Sequence, residues 1–139
     1  LRENYQNQKK KFSSIGLSKE EGNRIYGDVR LSTPDQVIQQ DTVLKIDDDE
    51  IHLLVTPGHV YDEISVYHPK SRTLFAGNTI YEGMPPNTRF GGPEEWRLWI
   101  FNLERLKTLE VDTIVPGHGL LCSKREIDRN IDSIRNLLK

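Results

Sequence analysis

The apolar positions of this chain fall into two periods. The first stretch has neither: residues 1–15 are polar and rich in Lys, Gln and Asn, with Tyr5, Phe12 and Ile15 as isolated apolar points. They predict a surface or mobile helix. Ser18-Lys19-Glu20-Glu21 then has the spacing of a capping box, in which Ser18 caps and Glu21 reaches back. A short helix is expected over about 18–26, although Gly22 weakens it by roughly 1 kcal/mol relative to Ala. Asp28 to Gln40 reads as loop, with a turn at Thr33-Pro34-Asp35.

From Thr42 the pattern is that of strands. Val43 to Ile46 and Ile51 to Thr56 flank Asp47-Asp48-Asp49-Glu50. This acidic run lacks the glycine and distal ligand of a calcium loop, and its length suits a hairpin turn. Within the second strand Ile51, Leu53 and Val55 share one face, and His52, Leu54 and Thr56 the other. Ile64 to Tyr67 and Thr73 to Ala76 predict two more strands around a turn at 68–72. A loop over 83–92, with two prolines and three glycines, leads to Pro93 at a first-turn position and to Glu94 and Glu95, which suit a helix N-terminus. Trp96, Trp99, Ile100, Leu103, Leu106 and Leu109 recur at three- and four-residue steps, and predict a helix over about 93–110 with both tryptophans in the core. Thr113 to Val115 reads as a buried strand. Ser123-Lys124-Arg125-Glu126 has the spacing of a second capping box, and Ile127, Ile131, Ile134 and Leu138 mark one face of a helix running to the end.

Composition narrows the class. With 139 residues, 35% apolar and 29% charged, the chain suits one soluble globular domain. A net charge of -2 gives no footing for nucleic acid or an acidic membrane, and no apolar run approaches the roughly 20 residues of a bilayer span. Cys122 is the lone cysteine, which excludes an internal disulfide and leads us to expect a reducing, cytoplasmic setting.

The candidate chemistry lies where strands stop. Thr56-Pro57-Gly58-His59 and Val115-Pro116-Gly117-His118 each close an apolar strand with Pro-Gly-His. Between them Phe75-Ala76-Gly77-Asn78-Thr79 closes a third, so His59, Asn78 and His118 are expected at one rim. Rigid strand ends suit a preorganised site. A catalytic metal needs neutral imidazoles and carboxylates converging on one point. The other two histidines read differently: His52 as a strand-face residue, and His68, before proline in a turn, as solvated.

Together these motifs resemble the last three metal-ligand motifs of the metallo-β-lactamase-fold hydrolases, in order and in spacing, over about residues 40–139. The resemblance implies an α/β (α+β) fold: half of an αββα sandwich, with mostly antiparallel strands and flanking helices. By the same resemblance the whole of 1–139 is the C-terminal portion of one such domain, with 1–40 as a lead-in. It implies His59 as ligand of a first metal, His118 of a second, and Asn78 at the position of a bridging aspartate. Tyr81 matches a tyrosine that some lactonase-like members place against substrate. The cofactor implied is zinc, usually two ions, with iron or manganese as variants. The activity implied is attack of metal-held hydroxide on an ester, thioester, lactone or related bond of a small-molecule substrate. Two departures stand out. The family's leading His-x-His-x-Asp-His string is absent from the chain, and Asn78 is a neutral amide. With Leu1 rather than Met at the start, the expectation is a C-terminal half whose metal site is partial or empty when alone. A homodimer, or association with the missing N-terminal half, should then cover the open sheet. A non-catalytic half-domain used for assembly is the alternative.

Overall fold

The computed structural model describes residues 16, 18–26, 28, 32 and 34–139. The helix expected within 1–15, and much of the loop before Gln40, lie outside the described residues. The chain divides between Val37 and Ile38, and each side is taken by itself.

On the N-terminal side lies α1 (Lys19–Tyr26). Its capping box forms in both directions: the Glu21 N–H donates to the Ser18 hydroxyl at 3.2 Å, and the Ser18 N–H donates to the Glu21 carboxylate at 2.9 Å.

The second unit holds β1 (Thr42–Ile46), β2 (Asp49–Val55), β3 (Ile64–His68), β4 (Thr73–Tyr81), α2 (Pro93–Lys107), β5 (Thr113–His118) and α3 (Arg125–Asn136). The strands form one sheet in the order β1-β2-β3-β4-β5. The first four are an antiparallel meander, and β5 pairs parallel to β4 after the crossover through α2. The acidic run makes the β1–β2 turn, with Ile46 opposite Asp49 and Asp47 in the left-handed region at φ 53, which Asp tolerates.

Side-chain alternation splits the sheet into two unlike faces. The cross-strand row His52, Tyr67, Leu74 and Ile114 faces the helices. Tyr67, Leu74 and Ile114 are buried there with Trp99, Leu103 and Leu106 of α2 and Ile127, Ile131 and Ile134 of α3. The opposite row carries Leu44, Leu53, Ile64, Val66 and Phe75. On that face Leu44, Ile64 and Phe75 are exposed, so one side of the sheet is apolar and uncovered among the described residues.

Four expectations are corrected. Strand β4 does not stop at Ala76; it runs to Tyr81 through register shifts at Phe75/Gly77 and Gly77/Tyr81. Asn78 therefore sits on a bulged stretch inside a strand, and bulges re-aim side chains. His59 lies past the end of β2 rather than at it, since the strand closes at Val55. The capping box at Ser123 does not form. Helix α3 begins from Lys124 with no side-chain cap, and the Glu126 carboxylate turns instead to Arg129 at 2.8 Å. His68 is not simply solvated. Its Nε2 lies 3.0 Å from Asp49 and its Nδ1 2.7 Å from the Ser71 hydroxyl, joining the β1–β2 and β3–β4 turns.

Candidate functional site

Three segments bring the candidate side chains together, and each is braced from below. The Thr56, Ser65 and Thr79 hydroxyls form a buried cluster, with Thr56 Oγ1 3.0 Å from Ser65 Oγ and 3.2 Å from Thr79 Oγ1. This ties the Thr56-Pro57-Gly58-His59 segment to β3 and β4. The Asn102 amide donates to the Pro57 carbonyl at 2.7 Å, and the Trp99 indole N–H donates to the Thr79 carbonyl at 2.9 Å. Gly58 lies so close to α2 that a Cβ there would meet the Trp99 Cα at 2.6 Å. Helix α2 thus holds both the first histidine segment and the bulged strand.

His59 is buried, at 5% exposure, and its two nitrogens are distinguished. Nδ1–H donates to the Asn87 carbonyl at 3.0 Å, which leaves Nε2 with its lone pair. That nitrogen accepts a long hydrogen bond from the Asn78 amide at 3.4 Å. A histidine held at Nδ1 by a carbonyl, with Nε2 presented, is the tautomer that a metal ligand needs.

His118 is exposed at the end of β5. Its ring stacks on Tyr81, with centroids 4.8 Å apart and planes 18° from parallel, and its carbonyl accepts the Glu82 N–H at 2.9 Å. Tyr81 also meets His59 at 5.9 Å between centroids, so one buried tyrosine contacts both histidines. The preceding Gly117 packs on Asn78 and Gly77, where a Cβ would meet the Gly77 carbonyl oxygen at 2.6 Å. The structure therefore brings His59, Asn78, Tyr81 and the Gly117-His118 segment together. His52 of β2 stays apart, edge-on to Tyr67 of β3.

Three residues without a sequence motif complete the surroundings. Glu63 accepts the Asn78 N–H at 3.0 Å. Burial pushes this carboxyl above the usual range, against the Asn78 bond and the nearby His59, with Asp62 adding to the rise. Burial, then the charge of Glu63, pushes the Tyr81 hydroxyl up, opposed by the Asn87 backbone. Asn130 of α3, fully buried, clamps the Tyr81 backbone: its Oδ1 accepts the Tyr81 N–H at 3.0 Å and its Nδ2 donates to the Tyr81 carbonyl at 2.7 Å. Asn130 did carry a signal, because it is a polar residue in the apolar stripe of Ile127, Ile131 and Ile134. Glu63 and Asn87 carried none.

The sequence profile of the metallo-beta-lactamase superfamily matches residues 4–118. The chain belongs to that superfamily. The match reaches well before residue 40, further towards the N-terminus than the motifs alone suggested. Over 90 residues the chain is 31% identical to the 2,4-dinitroanisole O-demethylase subunit alpha of a Nocardioides species, covering 64% of this chain and 27% of the relative. It is 32% identical over 90 residues to the beta-lactamase-like protein 2 homolog of Caenorhabditis elegans, covering 63% and 28%. A linear primary-alkylsulfatase of a Pseudomonas species is 30% identical over 83 residues, covering 55% and 15%. Among solved structures, a metallo-beta-lactamase from Pontibacter korlensis superimposes with a TM-score of 0.66 at 21% identity, covering 83% of this chain and 55% of that one. A metallo-beta-lactamase family protein from Thermus thermophilus gives 0.62 at 18%, covering 71% and 35%. These likenesses establish the fold. The chain spans less than a third of the length of each of these curated relatives.

The superfamily is generally metal-dependent, and the donors present here fit a metal only in part. They are two imidazoles and one amide, none of which brings a negative charge. Among the described residues, no three His, Cys, Asp or Glu side chains gather closely enough to hold an ion. Glu63 and Glu82 are nearby carboxylates; one Glu63 oxygen is engaged by the Asn78 backbone N–H at 3.0 Å, and one Glu82 oxygen by the Leu120 N–H at 2.9 Å. No described helix is long and apolar enough to cross a membrane.

Proposed function

We propose that this chain carries part of the site of a metal-dependent hydrolase acting on a small-molecule substrate. His59 and His118 are the candidate donors, and Asn78 sits at the bridging position. The observation that carries this reading is the contact of His59 Nδ1 with the Asn87 carbonyl at 3.0 Å, which turns Nε2 toward Asn78. When bound, zinc or a similar ion lowers the pKa of water and polarises the group to be cleaved. The described residues do not complete a site for it, so no catalytic step is assigned to them. The bond cleaved stays open within the class of esters, thioesters, lactones and related groups. The relatives include an O-demethylase subunit and an alkylsulfatase, whose names denote different reactions.

A specific observation also favours the alternative, a half-domain kept for assembly. The Asn78 amide donates to the very nitrogen that would bind metal. Elemental analysis separates the two readings. The chain as it stands is expected to retain well under one zinc per molecule after dialysis and to turn over none of a panel of esters, thioesters and lactones. Two tightly held ions with turnover would overturn the neutral-donor argument. No uptake of zinc under any condition, by this chain or by the Asn78→Asp variant, would leave assembly as the function.

A further inference from the structure

On one side of His59 the surface opens into a pocket of about 250 Å³, walled by His59, Val60, Tyr61, Phe90, Glu95 and Leu98 among others. We propose that this pocket binds a single aromatic ring of a small-molecule ligand. The proposal deepens the reading of the site as one for a small molecule, and rests on it.

The walls are chemically suited to a ring. His59 already meets Phe90 and Trp99 edge-on, each at 5.4 Å between centroids, so an entering ring would extend an existing aromatic array. Tyr61 is 94% exposed and Phe90 54% exposed. Two large rings left uncovered beside a concave apolar surface gain by burial when a third ring enters, and aromatic pairs gain further from edge and offset contacts. The Glu95 carboxylate does not disturb this, because it accepts the Gly92 N–H at 2.8 Å at the start of α2.

The wall formed by Phe90 is also held in place. Its loop is tied down by the Asn87 carbonyl on His59 at 3.0 Å and by the Trp96 indole on the Thr88 carbonyl at 3.4 Å. Arg89 lies over the Phe90 ring, 4.6 Å from its centroid. Size agrees as well. An apolar cavity of about 150 Å³ accepts benzene, so this pocket has room for a ring with a short substituent. A ring bound against His59 lies next to Asn78, whose amide is 3.4 Å from His59 Nε2.

The test uses the 139-residue chain without added metal. Benzyl alcohol and its saturated counterpart cyclohexylmethanol are titrated while backbone amide signals are followed by NMR. Saturable shifts are expected at residues 58–61, 90–91 and 98, with cyclohexylmethanol binding roughly 2- to 10-fold more weakly. Leu98→Trp, which fills the pocket, should abolish saturation. Phe90→Ala, in the exposed loop, should weaken benzyl alcohol several-fold. Phe101→Ser, on the same helix but outside the pocket, should leave binding unchanged. Equal affinity for the two alcohols, shifts confined elsewhere, or undiminished binding to both pocket variants would overturn the proposal. Aromatic binding, with no zinc uptake by either the chain or its Asn78→Asp variant, would leave the pocket standing and remove the hydrolase reading. Zinc uptake without aromatic binding would do the reverse.

Discussion

The carboxylate of Glu63 holds the backbone N–H of Asn78 at 3.0 Å. It packs against the Gly77 bend, where an added Cβ would meet Glu63 Oε1 at 2.9 Å. One acidic side chain thus sets the turn that aims Asn78 at His59. Burial raises its folded-state pKa above the unfolded value. Its contribution to stability is therefore full below the unfolded pKa, and is lost as pH rises through the folded one. Glu63→Gln keeps an oxygen for the Asn78 N–H and removes the charge. Thermal melts should show the variant at or above the parent near about pH 8, with that advantage gone near about pH 4. A variant destabilised near about pH 8 but not near about pH 4 would show that the negative charge itself is needed.

Asn78→Asp should change the response to metal. Without metal, the new carboxylate lies near Glu63 and loses the donor that now reaches His59 Nε2, so the melting temperature should fall. With zinc in hundredfold excess over its dissociation constant, binding to the folded state alone should restore about 2.7 kcal/mol. Melting curves with and without zinc, alongside metal content, provide the check. A variant indifferent to zinc would argue that the bridging position is not one.

Asn130→Ala should be among the most damaging single changes. It removes both bonds to the Tyr81 backbone and one to the Glu126 carbonyl at 2.7 Å. Buried groups left without partners cost about 1–3 kcal/mol each, and a loss of roughly 2–4 kcal/mol is expected in urea unfolding. Since Tyr81 stacks on His118, the His118 ring signals should shift in the same variant. A loss of stability with unmoved His118 signals would confine Asn130 to packing.

The uncovered sheet face should drive association. Large exposed apolar patches mark interfaces. We expect the chain to form dimers or larger species as concentration rises, whether with itself or with a second sheet supplied to it. Phe75, 48% exposed on that face, is the residue to change. Phe75→Lys should raise the monomer fraction in sedimentation experiments, and a parent chain that stays monomeric throughout would remove this expectation.

Much of this architecture could be read from the order of residues. Alternation pointed to the five strands, the acidic run to its hairpin turn, and the spacing from Trp96 to Leu106 to α2. Ends were less legible, for identifiable reasons. Glycine at 77 looked like a stop, yet β4 absorbs it as a bulge with Gly77 at φ 53. Glu126 had the right spacing to cap, but burial and Arg129 claimed it. The motifs pointed to His59, Asn78 and His118 because each directly follows a glycine in a short stretch with a fixed local signature. Glu63 and Asn87, which hold Asn78 and His59, and Asn130, which holds Tyr81, act across 15, 28 and 49 positions of sequence, and only the folded chain brings them near.

The parallel pairing of β5 with β4 has a consequence for how the molecule assembles. The strands β1 to β4 join neighbours in sequence through two turns and the loop over 56–63, and such local pairings cost little chain entropy to close. His59 and Asn78 belong to that meander. His118 does not: it arrives only after the crossover through α2 has been laid down, because parallel strands cannot be joined by a tight turn. The β4–β5 pairing is thus the long-range contact of the sheet, and the place of His118 beside the other two candidate donors depends on it alone.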